Sequence, residues 1–188
     1  MNIKSCFILL STYLISFVLS QRNRGREHTS NDYINIQVNR TVDLSASIVQ
    51  IRSEILTKSM KVDPIYSYRV PILKNVSRYL VNLSAKLRSA ANEEDHISLK
   101  ISKQNSQSDT PFEFYEISFK SEPMNYEEER ILIITEDYFE RLELLPKKIS
   151  IKEDQLVVFE DTINHVSFYQ TNSQNVKVIL PKERTEIM

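Results

Sequence analysis

The sequence predicts a mainly β fold, an antiparallel β-sandwich-like domain with at most one short helix. About eight short segments alternate apolar and polar residues with the period of two that a half-buried strand requires. The segments between them are rich in Asn, Asp, Pro and Ser, which are turn-forming residues. Helical spacing occurs in two segments, and one of these also fits a strand. A chain with many short strands and almost no helix is typical of a sandwich.

Residues 1–20 predict a secretory signal peptide. Lys4 precedes an apolar core that begins at Cys6, and the small side chain of Ser20 suits cleavage before Gln21. The apolar core of about 14 residues is shorter than the roughly 20 residues of a transmembrane helix. An uncleaved membrane anchor is the alternative. Cleavage would remove the only cysteine, so we predict a mature domain without a disulfide.

The remainder of the chain divides into three parts. Residues 21–34 are predicted to be a flexible leader, residues 35–184 one β domain, and residues 185–188 a truncated end. The chain has 188 residues, of which 41% are hydrophobic. That is enough for one domain with its own core.

Residues 40–57 fit either a helix or a strand. Alternation holds in one phase up to Ile48 and in the opposite phase from Val49 onward. We predict a strand with a bulge near Ile48, because β-branched residues favour a strand. The helical alternative depends on the spacing of Leu44, Ile48, Ile51 and Ile55.

The next two elements differ in type. Residues 65–72 are predicted to be extended, and Pro71 favours an edge position or a strand end because proline lacks the N–H of a central strand. Residues 74–89 predict a short helix. Its apolar positions are Val76, Leu80, Leu83 and Leu87.

The second half of the chain predicts strands throughout. Two runs near the end, within residues 154–180, are predicted to form a strand pair that closes the sandwich, with Val158 and Phe168 in its core. The predicted strands lie at 97–102, 112–120, 130–137, 147–154, 155–161, 165–170 and 175–181.

Composition excludes several classes of function. Gly25 is the only glycine, so the Gly-rich loops of P-loop and Rossmann proteins and the GxSxG elbow are excluded. The formal net charge of −1 gives no basic excess that would indicate nucleic acid. We therefore predict no cofactor and no nucleic-acid partner.

No catalytic or metal site is predicted. His28, His96 and His165 lack the spacing of a metal site and are interpreted as unrelated surface residues. The acidic runs 93–95 and 127–129 could pair carboxylates for acid–base work, but solvated loops are the preferred interpretation.

The aromatic side chains of the strands are interpreted as core rather than as a sugar-stacking platform, which favours an exposed Trp. They are Phe112, Phe114, Tyr115, Phe119, Phe159, Phe168 and Tyr169.

Three Asn-X-Ser/Thr tripeptides are present, at Asn39, Asn75 and Asn82. In a chain that enters the secretory pathway each is a candidate N-glycosylation site. Asn39 is slightly favoured because it precedes the first strong element. Asn75 and Asn82 are seven residues apart and would share a face if their segment were a helix. From the residues alone, a binding or scaffolding role remains by elimination.

Two segments resemble the ribophorin I family, which is subunit 1 of the oligosaccharyltransferase complex. Residues 38–57, VNRTVDLSASIVQIRSEILT, are similar to the family's opening strand with its basic-Thr-Val-Asp-Leu-Ser run. Residues 154–181, DQLVVFEDTINHVSFYQTNSQNVKVILP, resemble its Gln-aromatic-Val-Val-Phe-Glu stretch and the strands that follow. A looser similarity covers FEFYEISF and ERILIITEDYFERLELLP, so that the resemblance extends over roughly residues 35–184.

The resemblance implies a non-catalytic accessory subunit. The complex transfers an oligosaccharide from dolichyl diphosphate to Asn in Asn-X-Ser/Thr of nascent proteins, and its transfer site belongs to a different subunit. The implied partners are the other subunits, including the catalytic one, together with nascent glycoproteins and the translocon. The implied location is the luminal side of the endoplasmic reticulum membrane.

The family's chain continues into a second luminal β domain, a membrane helix and a cytosolic part. The resemblance therefore implies either a fragment or a short form without its anchor, which would be secreted. The alternative function is a secreted, soluble β-sandwich binding protein without enzymatic activity.

Overall fold

The computed structural model describes residues 5–7, 31–88, 96–105, 110–145, 156–162 and 164–180. These residues are mainly β with one helix of four residues, which confirms the predicted fold class. The elements are β1 (Ser5–Phe7), β2 (Tyr33–Asp43), β3 (Val49–Ser59), β4 (Ser67–Leu73), α1 (Lys74–Ser77), β5 (Leu80–Arg88), β6 (His96–Gln104), β7 (Phe112–Ser118), β8 (Glu129–Tyr138), β9 (Glu143–Leu145), β10 (Leu156–Val158), β11 (Gln170–Thr171) and β12 (Gln174–Ile179).

Nine of the strands form one curled sheet. Their order is β11-β2-β3-β8-β5-β6-β7-β4, and β12 also pairs with β2. Neighbours from β2 to β4 are antiparallel, as predicted, whereas β11 and β12 run parallel to β2. A parallel pair cannot be joined by a tight hairpin. Many residues and several strands therefore separate β2 from β11 and β12 along the chain.

A second, three-stranded sheet contains β1, β10 and β9. β10 pairs in parallel with β1 and antiparallel with β9. β1 lies inside the segment that is predicted to be a signal peptide, and that assignment stays a prediction. Residues 8–30 and the predicted strand at 147–154 lie outside the described residues.

In β3, buried residues alternate with exposed or partly buried ones. Every odd-numbered residue from Val49 to Ser59 is buried, and the residues between them are exposed or partly buried. The inward row includes Ser53 and Thr57, so the pattern holds even where the residues are polar. Successive strand residues point to opposite faces, and only one face of β3 is fully buried.

Residues 40–57 are not a single bulged strand. Residues 44–48 are a connection between β2 and β3, which pair as an antiparallel hairpin. The change of phase at Ile48 comes from this turn, and the bulge lies elsewhere, between Asn35 and Gln37. The prediction of a bulge near Ile48 was wrong because a turn and a bulge change the phase in the same way.

The predicted helix over 74–89 is restricted to α1. β5 follows from Leu80 to Arg88 and has a bulge between Leu80 and Asn82. Because a bulge adds one residue, Leu80 and Leu83 both reach the core at a spacing of three. That spacing imitates a helical turn, so the helix prediction failed here. Asn75 and Asn82 lie on different elements, α1 and β5, so the condition under which they would share a helical face is not met.

β4 is the last strand of the sheet in the described part of the chain, which confirms the edge position predicted from Pro71. Its outer edge faces residues 164–171, and this contact is called the seam below. The Arg69 backbone N–H donates to the Tyr169 hydroxyl at 3.0 Å, and the Tyr33 hydroxyl donates to the Ser67 carbonyl at 3.1 Å. Tyrosine hydroxyls therefore satisfy the edge where a strand ladder would otherwise do so.

The core lies inside the curl of the sheet. Tyr33, Tyr68 and Tyr169 are buried there, with ring centroids 4.6–5.4 Å apart. Tilted and edge-on rings at such distances are favourable. Val158 is buried as predicted, but Phe168 is only partly buried and packs on Phe114. β10 lies in a different sheet from β11 and β12, so the strand pair that was predicted within residues 154–180 does not form.

Candidate functional site

A buried cluster of charges lies at one end of the seam. The Asp161 carboxylate accepts from Arg40 Nη2 at 2.5 Å and from Arg141 Nη2 at 3.0 Å. All three side chains are at most 10% exposed. One carboxylate thus holds two guanidinium groups, and each of its oxygens serves a different arginine. Burial of unpaired charge is costly, so such pairs are kept only with good geometry.

The elements position each member of this cluster. Arg40 stands in the inward row of β2 between Val38 and Val42, both of which are buried. Arg40 also donates through Nη1 to the Thr162 carbonyl at 3.0 Å. The cluster therefore attaches residues 161–162 to the inner face of β2.

The guanidinium group of Arg141 contacts aromatic rings as well as the Asp161 carboxylate. Its guanidinium carbon lies 4.7 Å from the ring centroid of Tyr138 and 4.8 Å from that of Phe159. Its Nη2 also donates to the Glu160 carbonyl at 3.1 Å. Its Nη1 is buried and has no hydrogen-bond partner among the described residues.

Glu136 stands in the inward row of β8 and accepts a hydrogen bond from the Tyr138 hydroxyl. Burial raises the pKa of Glu136 above its usual range, and the nearby Arg40 and Arg141 only partly oppose this rise. Burial also raises the pKa of Tyr138, and the neighbouring Glu136 carboxyl raises it further. The phenol therefore stays protonated and remains a donor.

The charged side chains line a cavity of about 50 Å³ in the seam. Its opposite wall is the apolar stretch of β4 from Val70 to Leu73. Ser67 and Arg69 direct backbone groups toward the seam, and by strand alternation Pro71 does so as well. Because Pro71 has no N–H, a neighbouring strand would lack a ladder bond there. The cavity lies at this position.

His165 lines the same cavity, so it is not the surface residue that the sequence predicted. Burial lowers its pKa to about 4, and the nearby Arg40 lowers it in the same direction. The imidazole is therefore neutral near pH 7. His96 is exposed at the start of β6, and His28 lies outside the described residues. Among the described residues, no group of three or more His, Cys, Asp or Glu could hold a metal ion.

The acidic run 127–129 behaves as predicted for a solvated connection. Glu127 and Glu129 are exposed, and Glu128 accepts from the Asn125 backbone N–H at 2.8 Å and pairs with Arg130 at 2.6 Å. The other acidic run, residues 93–95, lies outside the described residues.

The three sequon asparagines are all exposed. Asn39 lies on β2, Asn75 on α1 and Asn82 on β5. Asn39 and Asn82 point to the outer face of the sheet. There the Asp137 carboxylate accepts from Gln50 and from Asn82, each at 2.8 Å. The predicted cleavage position, between Ser20 and Gln21, lies outside the described residues.

Sequence reasoning missed the charge cluster. Its signal was present, because Arg40 and Glu136 are charged residues at inward positions of mainly apolar strand rows. Such a residue is buried only with a partner. Its partners lie in distant segments, however, and Asp161 is 121 residues away from Arg40. The residues of these two strands alone could not identify the partners of Arg40 and Glu136.

Comparison with solved structures gives only weak similarity. Native yeast LTA4 hydrolase aligns with a TM-score of 0.38 and 11% identity, over 75% of this chain and 21% of that enzyme. The complex of yeast LTA4 hydrolase with bestatin gives 0.37 and 11%, over 72% and 20%. A mutant M1 zinc metallopeptidase from Deinococcus radiodurans gives 0.32 and 7%, over 60% and 21%. The chain spans about a fifth of the length of these enzymes, and no activity follows from similarity at this level.

A match to a protein-family model identifies the family of the chain. No curated protein matches the chain. The family model of ribophorin I matches residues 33–188, a range that begins at the first residue of β2 and includes every later strand. It also includes both segments whose residues resemble that family. The chain belongs to the ribophorin I family.

Proposed function

We propose that the chain is a non-catalytic accessory subunit of the oligosaccharyltransferase complex on the luminal side of the endoplasmic reticulum. The observation that carries this proposal is the family match over residues 33–188. Ribophorin I is an accessory-subunit family of that complex. Its partners are then the other subunits, including the catalytic one, and it supports glycosylation of nascent proteins near the translocon.

The structure of the described residues is compatible with a framework role. The charges that are buried in the seam hold one another and the backbone of residues 160–162. The outer face of the sheet carries polar side chains that are bonded across three strands by Asp137. A curled sheet that is held by these bonds gives neighbours a rigid surface.

We further propose that residues 1–20 are removed between Ser20 and Gln21, and that Asn39, Asn75 and Asn82 are acceptors for N-glycans. Exposure of all three side chains supports the second proposal. The described bonds of Asn39 are made by its Oδ1, so a glycan on its Nδ2 would leave them intact. Single Asn→Gln variants should each lose one glycosidase-sensitive step in gel mobility, and N-terminal sequencing would locate the cleavage.

Depletion of the chain from its own cells tests the function. Reporter glycoproteins with several sequons should lose occupancy, seen as faster-migrating forms, and expression of the wild-type chain should restore it. A rescue with Val158→Asp, a variant that is expected not to fold, is the matched control and should fail. Unchanged occupancy after depletion, with the chain recovered from the medium, would instead support a secreted binding protein.

A separate measurement tests the location. Membranes are washed with alkaline carbonate and probed with an antibody against residues 21–188. Retention in the membrane fraction as a band larger than 22.0 kDa supports a piece of a longer anchored subunit. Release as a band near 22.0 kDa supports a genuine soluble form and contradicts membrane anchoring. Among the described residues, no helix has the length and apolarity needed to cross a membrane.

A further inference from the structure

We propose that the seam cavity binds one small oxyanion, of the size of sulfate or phosphate, through the guanidinium groups of Arg40 and Arg141. This inference is independent of the proposed function. It depends on the donors, the volume and the charge of the cavity.

The first observation is an unsatisfied donor. Arg141 lines the cavity, its side chain is 6% exposed, and its Nη1 has no partner among the described residues. Buried polar groups are almost always hydrogen-bonded, and an unpaired charged donor is especially unfavourable. Arg141 cannot turn away to find another partner, because Tyr138 and Phe159 pack against its guanidinium group.

The second observation is the size of the cavity. Its volume of about 50 Å³ exceeds the roughly 10–15 Å³ that a single water molecule needs by the same measure. The space therefore accommodates a small polyatomic ion. The apolar wall formed by β4 from Val70 to Leu73 leaves the arginines as the main source of donors.

The third observation is the charge balance of the groups that face the cavity. Arg40 and Arg141 contribute two positive charges, and Asp161 neutralises one while both its oxygens are occupied. Burial raises the pKa of Glu136, which favours its neutral form, and burial keeps His165 and Tyr138 neutral. With Glu136 protonated the cluster has one unbalanced positive charge. Guanidinium groups are the residues of choice for oxyanions.

Equilibrium dialysis of the full chain, purified from a secretory host, against radiolabelled sulfate tests the proposal. Sulfate is chosen because its charge does not change near neutral pH. The expected result is one saturable site per chain, with competition by inorganic phosphate. Arg141→Met should weaken binding by at least about tenfold, the least expected from losing a hydrogen bond to a charged group. Arg52→Met, on the exposed face of β3, is the matched control and should bind as wild type.

A second variant covers the case in which Arg141→Met fails to fold. Ionisation of Glu136 at higher pH would cancel the unbalanced positive charge, so sulfate binding to the wild-type chain should weaken as pH rises. Glu136→Gln keeps an oxygen that accepts from Tyr138 but cannot become negative. Sulfate should therefore bind this variant at least as tightly as wild type, and its affinity should not fall in the same way at higher pH. No saturable binding to the wild-type chain would overturn the proposal. So would a folded Arg141→Met variant with unchanged affinity, or a Glu136→Gln variant with an unchanged pH dependence.

Discussion

Replacement of Asp161 by asparagine is expected to lower the free energy of unfolding by about 3–5 kcal/mol. Asp161 is the carboxylate that Arg40 and Arg141 share, and its side chain is only 10% exposed. Asparagine has nearly the same shape. The change therefore removes the charge and one acceptor without creating a cavity.

The magnitude follows from what the arginines lose. The asparagine side chain would offer one acceptor oxygen in place of two, and its NH₂ group would face N–H donors of a guanidinium group. Both arginine side chains are at least 92% buried, and their guanidinium groups would lack their counter-charge. Removal of one partner from a buried ion pair leaves the other charge uncompensated, which is the costly case.

Equilibrium unfolding in urea measures this effect. The chain has no Trp and nine Tyr, so tyrosine circular dichroism in the near ultraviolet reports on the packed rings. With a slope of about 2 kcal/mol per molar urea, the unfolding midpoint should fall by roughly 1.5–2.5 M. Asp63→Asn is the matched control, because Asp63 is exposed and its replacement should change stability by less than about 0.5 kcal/mol.

A loss below about 1 kcal/mol for Asp161→Asn, with the slope unchanged, would refute the reasoning. It would mean that solvent reaches the arginines, since exposed ion pairs contribute only about that much.

Three further outcomes are expected. Val158→Asp should abolish cooperative unfolding by circular dichroism, because it buries a charge without a partner; a near-normal melting temperature would contradict this. Tyr169→Phe should cost about 1–3 kcal/mol in urea because the Arg69 N–H loses its acceptor, and a smaller loss would show that water replaces it. The pKa of His165 is depressed to about 4, so the unfolded chain binds the extra proton. Stability should fall as pH drops from 6.5 to 4, by at most about 3 kcal/mol, and His165→Gln should remove this part of the loss. An equal loss of stability in that variant would show that another titrating group causes it.

Much of the fold follows from local pattern. Strands such as β3 alternate strictly, and Pro71 correctly indicated an edge. The errors have local causes too. A turn at residues 44–48 and a bulge at Leu80 both change the phase of the alternation, and only pairing with a neighbour distinguishes a turn, a bulge and a helical spacing.

The seam could not be predicted, because it depends on contacts between distant parts of the chain. Arg69 and Tyr169 are 100 residues apart, and Arg40 and Asp161 are 121 apart. Their meeting requires the parallel return of β12 along β2. Arg40 stands out as a charge in an inward strand row, but nothing in its own segment identifies Asp161 as its partner.

Co-purification tests the central claim most directly. The tagged chain is captured from digitonin-solubilised endoplasmic reticulum membranes, and the eluate is assayed for transfer of oligosaccharide from dolichyl diphosphate to an Asn-X-Thr peptide. The account predicts that transferase activity elutes with the chain and is absent from a mock capture with an untagged chain. A folded chain that elutes alone, without transferase activity, would contradict its assignment as a subunit of the complex.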